Sequence, residues 1–177
     1  LMQLPWWSDR RLPVTSLTTR IIAAEDGVML NDLRAGLSGG GRISGAGRVT
    51  SAGTEWELAL ADLDLRTLHK PLRITKLAGR VKAALTGGQQ TFEATLTERR
   101  LTFAASGTKQ GDRIELHNLK VKAGKGELTG KGGLSLAGVQ LFGATATFTY
   151  FDPSDFGDFP AASISGEASA TGQLGQG

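Results

Sequence analysis

Cysteine is absent from the 177 residues, which excludes a disulfide framework, a thiolate metal site and a cysteine nucleophile. The absence does not assign a compartment, because an oxidising space permits disulfides without requiring them. Histidine is scarce: His69 and His117 are the only two, and neither sits in an H-x-x-x-H or H-E-x-x-H spacing that would hold a metal. Both read as exposed or turn residues. No run approaches the roughly 18 apolar residues of a membrane-spanning helix, and no basic, apolar and small-residue succession resembles a signal peptide. Charge of one sign is lacking too. The balance of 20 basic and 17 acidic residues, net +3, is too even to argue for nucleic acid as a partner. Helical periodicity is confined to "LDLRTLH" at 63–69 and "FDPSDFG" at 151–157, where Asp152 followed by Pro153 reads as an N-cap with proline at the first helical position.

What is abundant is glycine, 25 residues, spread among alternating apolar residues rather than pooled in a linker. Period-two alternation runs through "EWELAL", "GRVKAAL", "TFEATLT", "LTFAA", "LKVKA" and "ATATFTY", the signature of half-buried strands. "TSAG", "TGGQQ" and "TKQGD" punctuate them as turns. The pattern predicts about a dozen strands in a single all-β domain over residues 1–177. Leu1 stands where an initiator methionine would, so the chain reads as a segment of a longer protein.

The chain also repeats itself. "VMLNDLRAGLSGGGRISGAGRVTSAG" returns as "IELHNLKVKAGKGELTGKGGLSLAG", with Leu30, Leu33, Ile43 and Val49 falling on Leu116, Leu119, Leu128 and Leu134. Gly39, Gly41, Gly45 and Gly47 fall on Gly124, Gly126, Gly130 and Gly132 at a constant offset. Repeats are expected over about 28–113 and 114–159 with a third beginning at 160–177, each burying its apolar face against its neighbours. Counted by twos, Gly124, Gly126, Leu128, Gly130, Gly132, Leu134 and Leu136 share one face. Glycine there implies strand curvature or the close approach of another backbone or a ligand.

Residues that invite a catalytic reading fall short of one. "GKGELTGKG" places five residues between Gly124 and Gly130 where a phosphate loop needs four, and Gly132 where magnesium needs a hydroxyl. "SGGGRISG" misses the dinucleotide fingerprint. The carboxylate pairs Asp62/Asp64 and Asp152/Asp155 sit in the two turn segments, where aspartate is expected for its hydrogen bonds alone. Lys120, Lys122, Lys125 and Lys131 form a basic stripe that reads as a solvated face. Trp6 and Trp7 precede the repeat and read either as a cap on an open end of the sheet or as flanking residues. No enzyme activity, cofactor or metal is expected.

The run from "IELHNLKVKAGKGELTGKGGLSLAG" through "FDPSDFGDFPAASISGEASATGQLG" resembles the TamB family of the AsmA-like group, with an apolar strand, a G-x-G-x-L-x-x-x-G strand, an FDPSxFG turn and a G-containing strand in that order. The first repeat fits more loosely. The resemblance implies a repetitive antiparallel sheet forming an elongated open groove, β-taco-like, with a hydrophobic concave face. It implies a periplasmic location, an inner-membrane anchor outside this chain, and TamA at the outer membrane as a partner. The implied function is carriage or shielding of phospholipid acyl chains between the membranes. The lining would be Trp56, Leu58, Leu60, Val81, Leu85, Phe92, Leu96, Leu101, Phe103, Leu119, Val121, Leu128, Leu134, Leu136, Phe148 and Tyr150. Two other classes stay open: a scaffold that assembles outer-membrane proteins by β-augmentation, and a closed sandwich or solenoid acting as a spacer. Head-to-tail self-association through exposed sheet edges is also expected.

Overall fold

The computed structural model describes residues 14–67, 70–138 and 140–173; Trp6, Trp7 and His69 lie outside them. The chain is all-β. Its strands are β1 (Val14–Ala24), β2 (Gly27–Leu37), β3 (Arg42–Thr50), β4 (Gly53–Leu63), β5 (Leu77–Thr86), β6 (Gln89–Glu98), β7 (Leu101–Gln110), β8 (Arg113–Ala123), β9 (Gly126–Ser135), β10 (Leu141–Phe151) and β11 (Ile164–Gln173). They form one eleven-stranded antiparallel sheet whose spatial order is the chain order. Among the described residues it does not close, and β1 and β11 are its edges. The two segments with helical character supply one 3-10 turn each, Leu65–Thr67 and Pro153–Asp155.

Turn chemistry sets this meander. Gly87 and Gly88 both take positive φ, +56° and +81°, the backbone that matches a two-residue hairpin to the right-handed twist of its strands. Alternation then assigns the faces. Directly paired residues lie on one side of the sheet, and the row Leu58, Val81, Ala94, Ala105, Leu119, Gly130, Ala146, Ala168 runs across β4 to β11 through such pairs. A second row, Leu60, Gly79, Leu96, Phe103, Val121, Leu128, Phe148, runs parallel to it. The opposite face carries Glu57, Lys82, Glu93, Ser106, Thr129 and Thr147.

β2 to β5 and β8 to β11 share the same devices in the same order, with the β6–β7 hairpin between them, so β11, where a third repeat was expected to begin, stands where β5 stands in the first unit. The first strand of each unit has a bulge between two apolar residues three apart, at Leu30/Leu33 and at Leu116/Leu119. The third strand has another, at Leu60/Leu63 and at Phe148/Phe151. The extra residue in each bulge resets the phase, so both flanking apolar side chains face the same way. Asp32, Asp62 and Tyr150 absorb it in left-handed backbone at φ 54°, 56° and 48°, a region that Asp and Asn tolerate better than most residues.

Candidate functional site: an apolar trough with one end covered

The apolar face is buried at one end of the strands and open at the other. At the covered end Leu77 is 0% exposed and Leu101 is 1% exposed, and with Val121, Ala123 and Phe156 they form the main cluster of buried side chains. Toward the other end the same face becomes accessible: Leu85, Phe92 and Val49 are exposed, as is Ile21 on β1.

Two loops make the covered end. Each is organised by an aspartate. Asp64 accepts hydrogen bonds from the backbone N–H of Arg66 (2.9 Å) and of Thr75 (3.2 Å). Thr75, 2% exposed, is satisfied: its hydroxyl donates to the Leu63 carbonyl at 2.9 Å and accepts from the Leu65 N–H at 2.8 Å. In the second loop Asp152 accepts from the N–H of Ser154 (3.0 Å), the hydroxyl of Ser154 (2.8 Å) and the N–H of Ala162 (3.1 Å). The Ala162 N–H, with the Ser154 hydroxyl and N–H, holds the Asp152 carboxyl below the usual aspartate range. The N-cap expected at Asp152 is therefore present, and one member of each Asp pair, Asp64 and Asp152, organises its loop. Asp62 sits in a bulge and pairs with Arg42 at 2.6 Å.

The loops then meet. Leu72 and Gly157 form an antiparallel bridge; the Arg73 N–H donates to the Phe156 carbonyl at 2.8 Å, and the Asp158 N–H donates to the Pro71 carbonyl at 3.1 Å. A Cβ on Gly157 would overlap the Pro71 carbonyl oxygen, so only glycine permits this approach. The loops leave β4 and β10, six positions apart in the sheet order, and meet over its apolar face, where Phe156 and Leu72 pack on the buried cluster. Phe156 hangs below the bridge, stacked on Phe151 with ring centroids 5.2 Å apart and edge-on to Phe103 at 6.2 Å.

Of the residues expected to line a groove, Trp56, Leu58, Leu60, Val81, Leu85, Phe92, Leu96, Leu101, Phe103, Leu119, Val121, Leu128, Leu134 and Phe148 share the apolar face through the pairings above and their neighbours. Leu101 is sealed in the covered end. Two positions differ. Tyr150 is 66% exposed; the bulge after Phe148 puts Phe151 in phase instead, edge-on to Phe148 at 5.6 Å. Leu136 follows the end of β9 and is exposed. Counting by twos missed Phe151, Leu63 and Phe156, and the signal that finds the first two is the three-residue apolar spacing itself. Glycine on this face also acquires a role: the Trp56 ring lies over Gly47, its direct partner across β3 and β4, where any Cβ would collide with it.

The polar face is laced with ion pairs. Lys82 meets Glu57 at 2.9 Å, and Lys120 and Lys122 meet Glu127 at 2.9 and 3.1 Å. The Lys82 hydrogen bond and charge hold Glu57 below the usual carboxylate range, and Lys120 and Lys122 do the same to Glu127. Two of the four lysines of the basic stripe thus share one carboxylate, and the trio keeps a net charge of +1. His117, in a bulge on this side, lies with Nε2 3.0 Å from the Thr108 hydroxyl. Among the described residues there is no cluster of His, Cys, Asp or Glu able to hold a metal ion, and no helix long and apolar enough to cross a membrane.

No protein-family model, curated protein or solved structure matches the chain. Its reading rests on the chemistry of the two faces.

Proposed function

We propose that this chain is a TamB-like segment of a periplasm-spanning protein and that its apolar trough shields phospholipid acyl chains between the inner and outer membranes, with TamA as partner of the longer protein. The observation that carries the reading is the apolar face itself, continuous across the sheet yet solvent-accessible beyond its covered end. An accessible apolar face supports a binding surface over a closed core. Each methylene exposed to water is unfavourable by about 0.8 kcal/mol, so a sixteen-carbon chain crossing water meets a barrier on the order of 12 kcal/mol. A lining of aliphatic side chains removes that barrier without any catalytic group.

The test compares two neighbours on β6, where the trough is open. Phe92 pairs with Ala83 on the apolar face and is exposed, and Glu93 pairs with Lys82 on the polar face. A photoreactive residue at 92, in protein prepared without detergent and mixed with phospholipid vesicles, should give phospholipid adducts, whereas one at 93 should not. Equal labelling, or none at 92, rejects the lipid reading. A second reading, a scaffold for outer-membrane protein assembly by β-augmentation, is favoured by β1 and β11, the edges among the described residues, whose residues are exposed along their whole or nearly whole length.

A further inference from the structure

The two loops over the covered end carry opposite charge where they touch. Residues 70–76, "KPLRITK", hold Lys70, Arg73 and Lys76 with no acidic residue; residues 152–158, "DPSDFGD", hold Asp152, Asp155 and Asp158 with no basic one. We propose that these segments form an electrostatic clasp, which opens as a unit without unfolding the sheet and converts the trough from closed at one end to open at both. Three features of the site point there. The second segment is preorganised by its own aspartate, Asp152, and the first is tied to β4 by Thr75 and Asp64, so parting them breaks neither. What joins them is narrow: two backbone hydrogen bonds around Leu72 and Gly157, with the Leu72 side chain and the Phe156 ring, itself stacked on Phe151, seated on the cluster. No direct ion pair under 4 Å locks the opposed charges among the described residues, so their attraction is longer-ranged and screened by salt.

Opening lifts Phe156 away from Leu77, Leu101 and Val121 and extends the accessible apolar face toward the ends of those strands. The value of this to an acyl chain rests on the function proposed above; the existence of the clasp does not, and its test needs no lipid. The probe is amide hydrogen exchange of Arg73, whose N–H is donated across the clasp, against that of Phe103 in central strand β7. At low ionic strength Arg73 should exchange faster than Phe103 through a local opening, and 1 M NaCl should accelerate Arg73 about tenfold further while Phe103 stays unchanged. The variant Asp155→Lys/Asp158→Lys should reproduce the acceleration at low salt, and adding Lys70→Glu/Lys76→Glu should reverse it. If the first variant does not fold, the salt response of the unaltered protein decides. Arg73 and Phe103 exchanging at one common rate would overturn the proposal, as would an Arg73 rate indifferent to salt. A salt-responsive clasp in a protein that takes up no phospholipid would leave the clasp standing and reject only the lipid reading.

Discussion

Leu101 and Leu85 are the same residue on the same face, at opposite ends of the trough, and truncating each to alanine separates an open face from a closed core. Leu101 is 1% exposed, on a central strand, inside the cluster under Phe156. Leu→Ala removes about three methylene equivalents, ~2.4 kcal/mol of transfer free energy at full burial. The cavity left under the loops adds to that, so Leu101→Ala should lose about 3–5 kcal/mol. Leu85 is 38% exposed. Scaled to its burial, the transfer loss is about 1.5 kcal/mol, and no cavity penalty follows because water already reaches the side chain.

The assay is urea unfolding of both variants and the parent, followed by circular dichroism, with the midpoints converted through a shared slope. A pronounced difference in midpoint at constant slope is expected. Equal losses would refute the reasoning, because they would mean that another layer covers Leu85 and that the apolar face is a closed core along its whole length. A changed slope for Leu101→Ala alone would signal that the covered end unfolds separately, and the two-state conversion would then be dropped for that variant.

Tyr150 sits at φ 48°, so Tyr150→Gly should be close to neutral, whereas Tyr150→Val should lose about 1–2 kcal/mol because a β-branched residue is strained in left-handed backbone; thermal melts of the pair check the bulge. The Asp152 carboxyl is held below its ordinary value by the Ala162 N–H and by Ser154. A depressed folded-state pKa contributes stability that is complete above the unfolded value and is lost as pH falls through the folded one. The melting temperature should therefore hold from neutrality to about pH 5 and fall below it, less steeply in Asp152→Asn; an equal acid slope in the variant would remove Asp152 from the account. The edges make a further prediction. Consecutive antiparallel pairing leaves β1 and β11 running in the same direction, so head-to-tail joining would create a parallel pair, and antiparallel continuation must join like edges across a two-fold axis. Sedimentation equilibrium should show a dimer growing with concentration; a strict monomer at high concentration would mean that both edges are covered.

Much of the fold was legible because its signals are local. Alternation in "EWELAL" and "ATATFTY" names the strands and their faces, and Gly87–Gly88 names a hairpin. The aligned glycines of the two repeats mark equivalent strands, β3 and β9. The bulges escaped a count by twos because they are the places where period two is interrupted in order to be preserved. "LNDL", "LADL", "LHNL" and "FTYF" each space apolar residues by three, and a reader who keeps counting evenly puts Tyr150 inside and Phe151 outside. The left-handed residue in three of them reconciles the spacing with a single continuous face.

The covered end was legible only in part, for a different reason. "LDLRTLH" and "FDPSDFG" declare themselves as turns through Asp64, Asp152 and Pro153, each of which acts on backbone within a dozen residues. Their meeting is a tertiary contact between strands six positions apart in the sheet. Leu72 and Gly157 are 85 residues apart by their numbers in the chain, and nothing near either one announces the other. Gly157 stands in "FGDF", where glycine after a 3-10 turn would be expected for conformational reasons alone; the necessity of glycine there comes from the Pro71 carbonyl, which the other loop delivers. The same contact gives the repeated unit its asymmetry. β2 to β5 contribute the basic loop and β8 to β11 the acidic one, and the divergence in charge between two copies of one four-strand plan falls on the residues that meet.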